Sequence, residues 1–178
     1  MTAKLRCPFM ISGVAFALLL FAAAPAQAQW NLSVSGSAYQ PIGFGSPGYM
    51  LSVGVGYRFN KWISETTSLG YAIYRIESRD KIKNVNLIPA TETFTVDLLP
   101  FLPVDPYVDT GVGTYFMGVA GDPWKISFGV HGGVGLRIDF NKFFGLDLHG
   151  GYVVPDVKDF NQGAWIYGVN FGITLGGL

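Results

Sequence analysis

Hydrophobic and polar residues alternate with a period of two along most of this chain. From Trp30 to Ala38 the even positions are Trp30, Leu32, Val34, Gly36 and Ala38, with Asn31, Ser33, Ser35 and Ser37 between them. From Tyr49 to Phe59 the odd positions are apolar, and Met50, Ser52, Gly54, Gly56 and Arg58 fill the gaps. Residues 126–140 place Ile126, Phe128, Val130, Val134, Leu136, Ile138 and Phe140 on one face, against Ser127, His131, Arg137 and Asp139 on the other. Residues 165–175 repeat the pattern with Trp165, Tyr167, Val169, Phe171, Ile173 and Leu175. Successive side chains of a strand point to opposite faces, so each segment predicts a strand with one greasy face and one small or polar face. Less regular candidates near 64–76, 87–98, 106–118 and 143–154 bring the expected number of strands to eight. Around Pro89 the apolar parity switches from odd (Val85, Leu87) to even (Phe94, Val96, Leu98). Proline donates nothing to a ladder, so a bulge or a late strand start is expected there.

The connections sort by length. Asn60-Lys61-Trp62 and Asn141-Lys142-Phe143 read as tight turns, and 99–105 as a short Pro-rich one. Segments 39–48, 77–86, 119–125 and 155–163 read as longer loops rich in Gly, Pro, Asp, Lys and Ser. Tight turns at one end and longer loops at the other are the signature of a transmembrane barrel. Aromatics gather at both ends: Trp30, Tyr57, Phe59, Trp62, Phe140, Phe143 and Phe144 near the turns, and Tyr49, Tyr74, Phe116, Trp124, Tyr152 and Trp165 near the loops. They predict two interfacial girdles. A soluble barrel or sandwich would turn its polar face outward and fill its inside with aliphatic bulk. Here Gly, Ser, Asn and Thr suit a narrow interior and the aliphatic face suits lipid. In lipid the sheet must close, because unpaired edge groups cost several kcal/mol each. Eight strands enclose just enough room for their own side chains, so no wide aqueous pore is expected.

Composition agrees with this. Hydrophobic residues make up 49% of the 178 and charged ones only 13%, which excludes a disordered chain. The 24 glycines argue against a helical bundle. The 12 basic groups equal the 12 acidic ones, so nucleic acid is not an expected partner. Residues 1–28 read as a signal peptide: Lys4 and Arg6 lead, an apolar run from Phe9 to Ala24 follows, and Ala26-Gln27-Ala28 matches a cleavage site. That run is too short for a membrane-spanning helix. Cys7, the only cysteine, precedes the run, so a lipid anchor is not read. The expected mature chain, 29–178, is a single barrel domain without cysteine, carrying two more acidic than basic groups.

Asn86-Leu87-Ile88-Pro89, the stretch from Pro106 to Tyr115, and Gly132-Gly133-Val134-Gly135-Leu136-Arg137 with the turn Asn141-Lys142 resemble the small eight-stranded outer-membrane β-barrels of the OmpA-like, opacity-type and OmpW-like group. The resemblance implies an all-β, antiparallel, up-and-down barrel in the outer membrane of a Gram-negative bacterium. It also implies recognition by the barrel-assembly machinery. That family's last strand ends in an aromatic, whereas this chain ends in Leu178.

If Phe140 pairs with Phe144 across the turn, Arg137 stands opposite Asp147 on the inner face, with Asp139 nearby. Arg58, Asp97 and Asp109 also take inward parity, so an interior charge network is expected, either structural or lining a conduit. His131 and His149 face inward as well. Histidine beside carboxylates suits a general base or a metal ligand. Both point away from lipid, however, and neither precedes the Ser-Asn expected of a lipid deacylase. No enzyme, metal or cofactor is therefore read. Arg79, Lys81 and Lys83, beside Asp80, form a mixed patch able to touch lipopolysaccharide phosphates. The leading expectation is a monomeric structural or surface-interaction barrel that contacts outer-membrane lipid and lipopolysaccharide. A narrow channel for small or hydrophobic solutes comes second, and a lipid-modifying enzyme third.

Overall fold

The alternating segments form eight strands: β1 (Gln29–Pro41), β2 (Gly45–Arg58), β3 (Ile63–Ser78), β4 (Lys81–Asp97), β5 (Val104–Val119), β6 (Lys125–Asp139), β7 (Phe144–Val154) and β8 (Ala164–Leu175). They come from a computed structural model that describes residues 29–43, 45–78, 81–119, 122–158 and 163–175. Each strand pairs antiparallel with its sequence neighbour. β1 also pairs with β8, from Trp30↔Leu175 to Pro41↔Ala164, closing an up-and-down barrel. The expected signal peptide lies outside the described residues.

The outer wall carries the aliphatic face. Leu32, Val34, Leu51, Val53, Leu69, Val112, Val134, Val169 and Phe171 are all exposed on it. Only lipid makes such a surface favourable, because a water-facing wall this apolar would aggregate.

The strands outrun the loops predicted between them. β1 reaches Pro41 and β2 resumes at Gly45; β3 reaches Ser78 and β4 resumes at Lys81. Segments 39–48 and 77–86 are therefore mostly ladder, and of the four expected loops only 155–163 keeps its length. Gly, Pro, Ser and Lys in those segments fall at the strand ends.

Pro89 produces no bulge. Every β4 residue from Val85 to Asp97 pairs with β5, Pro89 lying opposite Tyr115. On the β3 side the same register runs from Ile63↔Val96 to Ser78↔Lys81, with only the pairs at Gly70 and Tyr71 missing. The missing N–H removes rungs on one side, and β5 holds the strand in register from the other. The irregularity falls instead between Ser46 and Tyr49 on β2, around Pro47.

The parity switch has a different meaning from the one expected. The odd face of β4 points inward throughout, and what changes is the chemistry of the interior. Thr91, Thr93, Thr95 and Asp97 line the turn-end half, while Val85, Leu87 and Pro89 line the loop-end half. There the lumen is packed by Tyr39, Ala72, Tyr74, Val85, Leu87, Tyr115, Val153 and Ala164. A lumen of glycine and small polar groups is thus correct for one half only. Tyr74 belongs to this apolar plug, where it packs 4.9 Å from Tyr39, and not to the outer girdle.

Leu87 is fully buried, so Leu87→Ala is expected to lower stability by about 2–5 kcal/mol. Val53→Arg, on the lipid-facing wall, is expected to cost about 2–4 kcal/mol if it lies at mid-bilayer. Urea titration of the folded fraction in vesicles, read by heat-modifiable gel mobility, measures both.

Candidate functional site in the barrel lumen

Two tight turns set the register of the charged residues. Asn60 Oδ1 accepts from the N–H groups of Trp62 and Ile63, at 2.8 and 3.0 Å. Asn141 Oδ1 does the same for Phe143 and Phe144, again at 2.8 and 3.0 Å. These Asx turns explain the repeated Asn-Lys-aromatic sequence. With Phe140 N donating to Phe144 O, Arg137 falls opposite Asp147.

Arg137 is the hub of the turn-end half. Its Nη1 donates to both carboxylate oxygens of Asp97, at 2.7 and 2.9 Å, and its Nε to Asp147 Oδ1 at 3.1 Å. Arg58 Nη2 reaches Asp97 Oδ2 at 3.3 Å, and Asn170 Nδ2 donates to Asp147 Oδ2 at 2.9 Å. The Arg137 guanidinium also lies over the Tyr107 ring, 5.4 Å from its centre. Asp97, whose side chain is 0% exposed, comes from β4, and the groups around it come from β2, β6, β7 and β8. The layer therefore ties five strands together across the lumen. Asp139 is exposed at the end of β6 and makes no ion pair among the described contacts. Asp105, which the sequence reading passed over, is buried and accepts from Leu99 N at 2.8 Å, fixing the β4–β5 turn.

Above this layer lies a cavity of about 200 Å³. Serines of β1, threonines of β4, Tyr107 and both histidines line it. His131 Nε2 is 2.9 Å from Thr93 Oγ1. His149 Nε2 is 3.0 Å from Asp109 Oδ2, off the line of a hydrogen bond. Asp109 Oδ1 and His131 Nδ1 are buried without a protein hydrogen-bond partner. Two glycines make room for the imidazoles. A Cβ on Gly133 would lie 2.3 Å from His149 Nε2, and one on Gly111 would lie 2.5 Å from the His131 ring. No group of three or more His, Cys, Asp or Glu among the described residues is placed to hold a metal ion.

A smaller space of about 50 Å³ lies toward the turns, and both spaces are bordered by Arg137, Asp147 and Asn170. The charge layer thus lies between the two spaces, and the tyrosine-rich cluster lines the larger one toward the loops. Over that end, the segment after β7 is pinned beside β6. Val157 N donates to Phe128 O at 3.0 Å, and Ser127 Oγ to Pro155 O at 2.8 Å. Lys125 Nζ donates to Asp156 Oδ2 at 2.8 Å, which holds that carboxyl below the usual carboxylate range.

Of the predicted basic patch, Arg79 and Asp80 lie outside the described residues, and Lys81 begins β4. Lys83 is engaged by Asp122 at 2.9 Å. The sequence reading also missed two carboxylates on the outer wall, Glu65 of β3 and Glu92 of β4. Thr67 Oγ1 donates to Glu92 Oε2 at 2.6 Å, while Glu92 Oε1 is buried without a partner. Parity shows them: Glu65 shares its face with Leu69 and Tyr71, and Glu92 with Phe94 and Val96.

Removing Arg137 takes one cationic partner from two carboxylates at once, leaving Asp97 with Arg58 and Asp147 with Asn170, so Arg137→Ala is expected to cost about 3–5 kcal/mol. In a double-mutant cycle with Asp147→Ala, the coupling is expected to reach about 0.5–3 kcal/mol by urea unfolding, and additive losses would refute the pairing. Glu92→Leu is expected to raise the unfolding midpoint, since it takes a carboxylate off the lipid face.

The comparisons with known proteins agree with this architecture. The family model described as "Outer membrane protein beta-barrel domain" matches residues 14–176. No curated protein sequence matches significantly. Among solved structures, Neisserial surface protein A aligns with TM-score 0.59 at 15% identity, covering 84% of this chain and 97% of that one. OprG from Pseudomonas aeruginosa aligns with TM-score 0.58 at 11% identity, covering 86% and 98%. Ail, the attachment invasion locus protein of Yersinia pestis, solved with the heparin analogue sucrose octasulfate, aligns with TM-score 0.51 at 12% identity, covering 83% and 97%. At these identities the solved structures speak for the fold, and the family model carries the assignment. The chain belongs to the outer membrane protein beta-barrel domain family.

Proposed function

We propose that this barrel has a structural or surface-interaction role in the outer membrane and passes no solute through its lumen. One observation supports the reading: side chains fill the lumen at two levels, which we read as two chemically different seals. Toward the loops, Tyr39, Leu87 and Tyr115 are buried in a packed apolar cluster. Toward the turns, Arg58, Asp97, Arg137, Asp147 and Asn170 bond across the lumen. A narrow conduit would have to dissolve both, and breaking one partner out of a buried ion pair costs about 3–5 kcal/mol.

Catalysis on lipid is not favoured, because both histidines line the inner cavity. A surface role is supported by Ail, a barrel of this size whose structure holds a sulfated sugar analogue. Here the expected outer partner is lipopolysaccharide. Arg75 presents an exposed cation on the outward face of β3 near the loop end, whereas Lys83 and Lys125 are each held by an aspartate.

Planar-bilayer recording tests the reading. The reconstituted chain is expected to give no unitary current steps. Tyr39→Gly/Leu87→Gly/Arg137→Gly, which opens both seals, is expected to give them. Discrete steps from the unaltered protein would establish the channel reading instead.

A further inference from the structure

Asp109 is the lumen carboxylate that the charge layer leaves out. Arg58 and Arg137 are committed to Asp97 and Asp147. The Asp109 side chain is only 6% exposed, and among the described residues its one charged contact is His149, whose Nε2 stands 3.0 Å from Oδ2. Its other oxygen, Oδ1, is buried without a protein hydrogen bond. A carboxylate buried without a cation is costly, and water would satisfy its lone pairs without neutralising it.

Strand register sets two imidazoles around this carboxylate. Asp109 pairs with Gly133 of β6, and Gly133 with Gly151 of β7. His131 lies two residues from Gly133 toward the loops, and His149 two residues from Gly151 toward the turns. The His149 ring leans into the space that Gly133 leaves open, at the level of Asp109. All three side chains line the cavity of about 200 Å³.

They carry three buried, unpartnered atoms: Asp109 Oδ1, His131 Nδ1 and His149 Nε2. Each can accept a hydrogen bond. His131 Nε2, 2.9 Å from Thr93 Oγ1, can donate its N–H there and leave Nδ1 its lone pair. His149 Nε2 faces Asp109 Oδ2 off the line of a hydrogen bond, as two lone pairs do beside a positive charge. A primary ammonium supplies one positive charge and three N–H donors, which answers both the charge and the acceptors. A metal ion fits worse. Its bonds to N and O are about 2.0–2.2 Å, and no group of three or more His, Cys, Asp or Glu among the described residues is placed to hold one. Hydrogen bonds reach further, to about 2.7–3.2 Å.

The opposite wall suits the rest of such a ligand. β1 stands across the ring from β5, and Ser33, Ser35 and Ser37 line the cavity from that side. A buried water needs about 10–15 Å³ of such space, so the cavity admits a ligand of several heavy atoms.

We propose that the lumen holds a binding site for a small, free, hydroxylated primary amine. Asp109, His131 and His149 bond its ammonium, and the β1 serines receive its hydroxyl. The arginines of the charge layer repel it from the turn end, so it enters and leaves past Tyr39 and Tyr115 at the loop end. A blind site carries no current, so the amine can be bound without making the barrel a channel, and can be absent from a barrel that stays closed.

His131 and His149 are the chain's only histidines, so imidazole nitrogen NMR of isotopically labelled histidine reports the site alone. The full chain is folded in dodecylmaltoside, checked by heat-modifiable mobility, and titrated with ethanolamine hydrochloride at mildly alkaline pH. There a free imidazole is neutral and an alkylamine still charged. Both imidazoles are expected to shift and saturate. Tetramethylammonium, which has the charge without N–H groups, and ethylene glycol, which has the hydroxyl without the charge, are expected to leave them in place. Nanodiscs containing phosphatidylethanolamine and no free amine are expected to do the same, because the closed wall separates lipid from the cavity. Asp109→Asn is expected to weaken binding about tenfold or more, and His131→Phe, read at His149, about threefold or more, so that either serves if the other does not fold. An absence of shifts with ethanolamine would overturn the proposal. So would equal shifts with tetramethylammonium or ethylene glycol, or unchanged affinity in a folded variant. Shifts with the lipid alone would give the site to a headgroup and overturn it too, as would a His149 doubly protonated without amine, which would itself be the cation that Asp109 needs.

Discussion

Hydrogen-bond closure of the backbone is the constraint on which everything else in this molecule depends. Hydrocarbon offers no partner to a free N–H or C=O, so a sheet can stand there only if its first and last strands meet. The β1–β8 ladder, running from Trp30↔Leu175 to Pro41↔Ala164, supplies that closure. Once the wall is sealed, its side chains are free to be inverted. Leu32, Val53 and Val134 face outward, and serines, threonines and charged groups collect inside.

Closure at eight strands makes the lumen narrow, and the narrow lumen explains how it is filled. The two halves use different physics. Tyrosines and aliphatics at the loop end pack as a small soluble core does, with contacts that need no partner chemistry. The turn end buries charge, which is tolerable because Asp97 faces two arginines and Asp147 receives bonds from Arg137 and Asn170. Glycines make room for large inward side chains, Gly129 beside Tyr115 of the plug and Gly111 and Gly133 beside the two imidazoles of the cavity. In the charge layer, side chains from five strands meet across the lumen.

Legibility from sequence varied with the range of the interaction. The Arg137–Asp147 contact was readable because one Asx turn fixes the register between adjacent strands. Arg137–Asp97 was not, because those residues lie 40 positions apart on β6 and β4, strands that do not pair. Their meeting depends on how far the strands are staggered around the barrel. Pro89 misled for a related reason. Its ring does remove rungs toward β3, but the intact β5 ladder on its other side keeps the strand straight. Glu65 and Glu92 were legible in principle, since parity puts both outward, yet a polar residue in an otherwise inward-polar pattern is easily assigned to the lumen.

By itself the sequence determined that there are eight strands, which face of each is apolar, and hence that the sheet must close in lipid. These are local properties: period two is set by the pleat and holds wherever the chain is extended. Only the tertiary structure decided the height at which each inward residue sits, and so which of them meet. Parity assigns a side chain to a face but says nothing of its level along the barrel axis. Strand tilt and stagger set that level. They gathered Tyr39, Tyr74, Leu87 and Tyr115 into a plug at one level and Arg58, Asp97, Arg137 and Asp147 into a layer at another.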